Sequence, residues 1–166
     1  MKITGLITEY NPFHNGHQYH IEKAKKLTKA DKVVVVMSGN FVQRGAPALL
    51  PKHLRAKMAL KSGADLVIEL PVFYACASAE YFAYGAVSLL HALRCVDSIC
   101  FGSECGDLTL LQKAADIMAE EPDAYKHSLQ SYLRDGYRFP LARQKAFQDF
   151  TKEEGIASIL EQPNNI

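Results

Sequence analysis

The sequence predicts an α/β fold: a doubly wound parallel sheet with helices on both faces, followed by a helical C-terminal part. Three observations lead there. Apolar runs of strand length alternate with helical patterns up to about Phe101, as right-handed βαβ units require. One run, Val33-Val34-Val35-Val36-Met37, is apolar on both faces, like a central strand covered from both sides. From Leu108 onward only helical periodicity remains.

The first strand is expected over about Lys2 to Thr8, where Asn11-Pro12 stops extended pairing, and a helix over Gly16 to Leu27 with Ile21, Ala24 and Leu27 on one side. The second strand is Val33 to Met37. Pro51 suits a helical first turn, so a helix follows to about Ser62, with Leu54, Met58 and Ala59 inward and Gly63 ending it. Leu66 to Leu70 is the third strand, closed by Pro71. A helix from about Ser78 to Leu93 carries aromatic rings among small residues, and burial is the main use of Phe73, Tyr74, Tyr81, Phe82 and Tyr84. Val96 to Phe101 is the fourth strand. Helices are then expected over Leu108 to Ala119, Asp123 to Arg134, Leu141 to Asp149 and Glu153 to Leu160, with a basic, aromatic turn at Asp135 to Pro140.

The 166 residues suit one domain, 1–166, with a helical subregion at about 108–160. The 48% hydrophobic and 22% charged content is that of an ordinary globular chain. A net charge of +1 gives no global field for a polyanion, although a local patch suffices to hold one. No early apolar h-region and no membrane-length run is present, so a cytoplasmic protein without membrane contact is expected. Cys76, Cys95, Cys100 and Cys105 contain no Cys-x-x-Cys pair; buried or partly buried free thiols are expected rather than zinc ligands or disulfides.

Chemistry concentrates at Gly5 to His20, read as a strand, a loop and a helix N-terminus. Such a junction presents unpaired backbone N–H groups and the positive end of the helix dipole to an anion. Neither a P-loop nor a Gly-x-Gly-x-x-Gly fingerprint is present. What remains is His14-Asn15-Gly16-His17, two imidazoles around a glycine that admits close backbone approach. Donors there can stabilise charge developing on an α-phosphate as in-line attack expels pyrophosphate. Solvated or capping histidines are one alternative. A metal held by His17 and His20, three apart on a helix, is another.

The His-x-Gly-His tetrapeptide resembles the signature of the nucleotidyltransferase superfamily, whose Rossmann-like members adenylylate or cytidylylate a substrate. The longer strings Gly5 to His20, Met37-Ser-Gly-Asn-Phe-Val-Gln-Arg-Gly45 and Pro163-Asn-Asn-Ile166 resemble the bacterial tRNA(Met) cytidine acetate ligase family across the whole chain. The resemblance implies ATP as a substrate, with Mg2+, together with acetate and elongator tRNA(Met). The acetyl group would pass from acetyl-adenylate to N4 of the wobble cytidine. A nucleotidyltransferase acting on another small acceptor, or a nucleotide- or RNA-binding module without chemistry, are the alternative functions.

Carried onto this sequence, the family's ATP segment falls on Ile7, Thr8, Glu9, Tyr10, Asn11, Pro12, Phe13, His14, Asn15, Gly16, His17, Gln18, Tyr19 and His20. Further contacts fall on Gly102 and Asn165, and His14 and His17 act catalytically on the phosphates. Ser38, Gly39, Asn40, Gln43 and Arg44 are candidates for the acetate and phosphate side, since Arg44 can neutralise an anion; a surface ion pair is the other reading of that arginine. Lys52, His53 and Arg55 are expected to extend a basic rim, and Glu104 and Asp107 to cap a helix or face solvent. The superfamily's second phosphate motif, with serine, threonine and a basic residue, is expected beyond Pro163-Asn-Asn-Ile166. The chain is thus expected to be an N-terminal portion of a longer protein, or a shortened homologue.

Overall fold

The computed structural model describes residues 1–151. In chain order the elements are β1 (Ile3–Thr8), α1 (Asn15–Thr28), β2 (Lys32–Ser38), α2 (Lys52–Lys61), β3 (Leu66–Leu70), α3 (Val72–Ala75), α4 (Ala79–Ala92), β4 (Ser98–Ile99), α5 (Leu108–Glu120), α6 (Asp123–Arg134) and α7 (Phe139–Thr151). The expected helix at Glu153 to Leu160 and the candidate Asn165 lie outside the described residues. Contacts divide the chain into two compact units, Met1–Phe101 and Gly102–Ile166.

In the first unit the strands form one parallel sheet in the order β3-β2-β1-β4. Val33, Val35 and Met37 of β2 join Leu6, Ile21, Ala24 and Ala59 in one core. Val34 and Val36 join Ile3, Leu70, Ala86 and Leu90 in the other. The valine run therefore serves two cores, with α1 and α2 on one face and α3 and α4 on the opposite face. Strand order reverses between β1 and β4, and open α/β sheets bind ligands at the carboxyl ends of strands flanking such a reversal.

Aspartates fix the opposite edge. Asp31, Asp65 and Asp97 each stand one residue before a strand and accept from the backbone N–H of Lys2, Val33 and Ile3, at 2.7, 2.9 and 2.7 Å. Each side chain ties the entry of its own strand to that of a neighbour, so the register is set at the amino edge. The loops at the carboxyl edge are left for other work.

Several elements depart from expectation. β4 is only Ser98–Ile99, because its ladder partners are Thr4 and Gly5 alone, while Val96 packs into a helix-side core instead. Of the expected core rings, Phe73, Tyr81 and Tyr84 are exposed, and only Tyr74 and Phe82 pack against that core. The buried residues of α4 are Gly85, Ala86 and Leu90. A side chain at Gly85 would collide with the Tyr74 ring, so close packing uses the small residues and turns the large rings outward. Leu27 and Leu54 are exposed as well. Cys76, Cys95, Cys100 and Cys105 are free thiols, but Cys95 and Cys105 are exposed rather than buried.

The inward face of α2 is formed by Arg55 and Ala59, one turn apart. Arg55 is 0% exposed and is therefore not part of a basic rim. Its Nε donates to Leu50 O at 3.0 Å, and its two terminal nitrogens donate to the carbonyls of Glu9 and Gly39. One guanidinium thus joins the loop after β1, the loop after β2 and the approach to α2. Burial lowers its pKa, and the nearby carboxylates of Glu9 and Glu69 oppose that shift.

The second unit is helical. Asp107 caps α5, accepting from Thr109 and Leu110 N–H at 2.9 and 3.2 Å. Ala114, Tyr125, Ala146 and Phe147 form its core, with the Tyr125 and Phe147 rings edge to face at 5.9 Å. No described helix is long and apolar enough to cross a membrane.

Arg55→Met leaves buried carbonyls without a donor. A loss of about 3–5 kcal/mol is expected, as when one partner of a buried charged network is removed. Lys52→Ala, which removes a 2.6 Å pair with Glu69 on the surface, should cost under about 1 kcal/mol. Urea unfolding of the two variants, read as midpoint shifts, checks the contrast.

Candidate functional site

β1 ends at Thr8, and its loop turns through Tyr10, which takes φ 50° and is 1% exposed. The loop continues through the cis Asn11-Pro12 peptide to His14, the N-cap of α1. His14 Nδ1 accepts from Gly16 N–H at 3.1 Å, and His17 Nδ1 accepts from His14 N–H at 3.2 Å. This is a capping box built from two imidazoles. Their rings stack at 3.7 Å with 29° between planes.

The box decides what the histidines can offer. A backbone N–H can only donate, so both Nδ1 atoms are acceptors, and the proton of each neutral ring sits on Nε2. Two N–H donors are thereby fixed beside the unpaired amides of a helix N-terminus. Gly16 fits this arrangement closely: a Cβ there would lie 3.0 Å from Cε1 and 3.1 Å from Nδ1 of His14, and the ring would have to shift by a few tenths of an ångström. The glycine makes room for the histidine ring itself, which spacing alone did not reveal.

Around His17 stand Tyr10 at 4.8 Å, edge-on, and Phe13 at 5.6 Å. Burial among these rings, with the neighbouring charges of His14 and His20 adding to it, lowers the His17 pKa to about 4. Burial also lowers that of His20, against an opposing interaction with the Cys100 backbone just past β4. Burial pushes the Tyr10 hydroxyl up to about 12, opposed by Thr8.

These groups surround a cleft of ≈ 420 Å³ lined by Ile7, Thr8, Glu9, Tyr10, Asn11, Pro12, His14, His17 and His20. Thr8 Oγ1, Tyr10 OH and His20 Nε2, on three of these lining residues, are shielded from solvent and have no hydrogen-bond partner. Phe13, Asn15, Gly16, Gln18 and Tyr19 of the Ile7 to His20 stretch are not among the residues lining the cleft. Phe13 packs against the core, Gln18 bonds Glu22 along the helix at 2.9 Å, and Tyr19 is exposed beneath Lys23. Asn15 is exposed at the first position of α1.

The loop after β2 is tied to the same edge. Glu9 Oε1 accepts from Gln43 N–H at 2.6 Å, and Asn11 Oδ1 from Leu49 N–H at 2.7 Å. Asn40 Oδ1 accepts from Lys52 N–H at 3.4 Å, and Gly39, whose carbonyl holds Arg55, lies against the Glu69 carboxylate, which a side chain there would displace. Ser38 is 0% exposed, with Oγ unpaired. Arg44, at φ 67°, is exposed and has no ion pair among the described residues. Gly102 opens the second unit with space around its Cα. Among the described residues no three His, Cys, Asp or Glu side chains gather as a metal site.

A model of the HIGH nucleotidyl transferase family matches residues 1–166. The chain belongs to that family. Among relatives in the HIGH family, the tRNA(Met) cytidine acetate ligase of Clostridium perfringens (strain ATCC 13124) is 51% identical over 100% of this chain and 43% of its own length. That of Caldanaerobacter subterraneus subsp. tengcongensis is 57% identical over 100% of this chain and 41% of its own. The crystal structure of Thermotoga maritima TmcAL bound with alpha-thio ATP superposes with a TM-score of 0.95 at 46% identity, covering 99% of this chain and 41% of that one. The chain thus spans less than half the length of these relatives. The match confirms the expected α/β nucleotidyltransferase fold.

Gly16→Ala crowds the His14 ring and is expected to weaken the cap by about 1 kcal/mol; a lower urea midpoint checks this. The depressed His17 pKa has a definite sign. Below pH 6.5 the unfolded chain takes up a proton that the folded chain refuses until about pH 4, so stability falls as pH drops through that window. His17→Gln, which keeps an acceptor at the third helical position, should flatten part of that decline in urea midpoints at pH 7 and pH 5.

Proposed function

We propose that this chain supplies the ATP site of a tRNA(Met) cytidine acetate ligase, which activates acetate as acetyl-adenylate and acetylates N4 of the wobble cytidine of elongator tRNA(Met). The observation that carries the reading is the His14–His17 capping box, which leaves both Nε2 positions as donors on two residues that line the cleft at a helix N-terminus. The activity for which the Clostridium perfringens relative is named and the alpha-thio ATP bound to the Thermotoga maritima protein support the choice of substrates.

The chemistry follows from charge. An acetate oxygen attacks the α-phosphorus of ATP, the bond from that phosphorus to the bridging oxygen breaks, and pyrophosphate leaves with the electron pair. The cytidine amine then attacks the acetyl carbon, loses a proton, and AMP departs. Negative charge grows on the phosphate oxygens in the first step, where preorganised N–H donors act most strongly. His17 is neutral at pH 7 by its lowered pKa and donates from Nε2 without giving up a proton. Ile7 to His20 would line the nucleotide, with Gly102 and Asn165 as further contacts. Ser38 to Arg44 would lie on the acetate side, tied to the β1 loop through Glu9 and Asn11. Mg2+ would arrive on the phosphates, which hold it together with water and few protein carboxylates. A cytoplasmic location suits a tRNA substrate.

Acetate-dependent exchange of pyrophosphate into ATP tests the reading. His14→Ala and His17→Ala should each lower exchange by about 10²–10³-fold, with a much smaller change in affinity for a nonhydrolysable ATP analogue. Wild-type binding of the analogue with no exchange for acetate or any other carboxylate would overturn acid activation.

A further inference from the structure

The turn from α6 to α7 collects four cations outside any ion pair among the described residues. Arg134 ends α6, Arg138 lies in the turn, and Arg143 and Lys145 stand in the first half of α7. The acids beside them are Asp135 and Asp149; Asp149 accepts from Ser128 and Tyr132, and the four cations therefore exceed the two acids around them. Aromatic rings hold two of the four cations. Lys145 Nζ lies 5.7 Å from the Tyr132 ring centre and 5.3 Å from that of Tyr137, and the Arg143 guanidinium lies 5.7 Å from the Phe139 ring. Arg143 Nε is buried without a hydrogen-bond partner.

The rings are themselves positioned. Tyr132 and Tyr137 meet edge to face at 5.6 Å and 89°, and the Tyr132 hydroxyl donates to Asp149 at 2.9 Å. Tyr137 and Phe139 remain 39% and 54% exposed. At the far end of α6, roughly 16 Å away along the helix axis, the α5–α6 turn carries the acids Glu120, Glu121 and Asp123. The second unit therefore separates its charge along α6, although the whole chain is nearly neutral. Unpaired cations in a small area repel one another until an anion arrives. Exposed rings between them offer faces for planar groups, and RNA combines closely spaced phosphates with unstacked bases.

We infer that the α6–α7 turn is an RNA-contact surface, with Arg134 and Arg138 on phosphates and Tyr137 and Phe139 stacking on unpaired bases. This rests on the tRNA half of the proposed function and adds where the RNA is gripped. Arg143 and Lys145 keep the rings in place and add positive field.

The test is fluorescence anisotropy of labelled elongator tRNA(Met) with the whole chain at several salt concentrations. Nonhydrolysable-ATP affinity and acetate-dependent pyrophosphate exchange are read on the same samples. The Arg134→Ala/Arg138→Ala variant should bind RNA more weakly, with a slope of log affinity against log salt shallower by about 1.4–1.8, the loss of two phosphate contacts. Tyr137→Ala should weaken binding about 5- to 150-fold with the slope retained. Lys126→Ala, at the acidic end of α6, should leave RNA binding unchanged. Wild-type affinity and slope in the double variant would overturn the surface. So would absence of RNA binding by the wild-type chain, or equal competition by polyglutamate, which would make this a general polyanion site. Pyrophosphate exchange that persists without RNA binding would leave acid activation standing while the RNA surface falls.

Discussion

A buried guanidinium organises the carboxyl edge of this sheet. Arg55 has no contact with water and forms no ion pair within salt-bridge distance among the described residues; its hydrogen bonds run to carbonyls of three separate segments. A charge in that position is tolerable only while those carbonyls stay where they are. The loop after β1 and the loop after β2 are consequently held as a pair, and the Glu9–Gln43 and Asn11–Leu49 bonds reinforce the link. The aspartates at the amino edge perform the matching task for register. One end of the sheet is fixed by strand-to-strand bonds, and the other by loop-to-loop bonds that leave a cleft open.

Within that frame the histidines gain their character from the helix they cap. Because each Nδ1 is occupied by a backbone amide, ring orientation and tautomer are set before any substrate arrives. The aromatic packing of Tyr10 and Phe13 keeps His17 uncharged near neutrality. A donor held neutral and aimed in advance needs little reorganisation when charge builds on a phosphate. That is the condition under which electrostatic stabilisation is strongest. The capping and phosphate-binding readings of the histidines are therefore compatible, since the capping bonds create the donors.

Much of this was legible in the residues. Val33 to Val36 announced a doubly covered strand, because only a strand with cores on both sides uses apolar side chains at every position. The β1–α1 junction was legible from Asn11-Pro12 followed by a helical pattern, and Asp107 as a cap from its place before an apolar helix. Arg55 was not, because an arginine after Lys52 and His53 looks like a solvated face. The signal was its i, i+4 relation to Ala59, whose inward direction was foreseen. The rings of Phe73, Tyr81 and Tyr84 misled for a related reason: composition gives a helix's apolar content, but the small residues Gly85 and Ala86 took the contact with the sheet. β4 shortened because strand length depends on a partner's ladder, which one segment's own residues do not contain.

The donor role of His14 and His17 turns on the protonation geometry of the capping box. Imidazole ¹⁵N NMR of the histidine-labelled chain at pH 7 reads it directly. A non-protonated Nδ1 and a protonated Nε2 on both His14 and His17, with His17 still neutral at pH 5.5, is the predicted result. A proton on Nδ1 of either ring, or an imidazolium signal from His17 at pH 7, would contradict it.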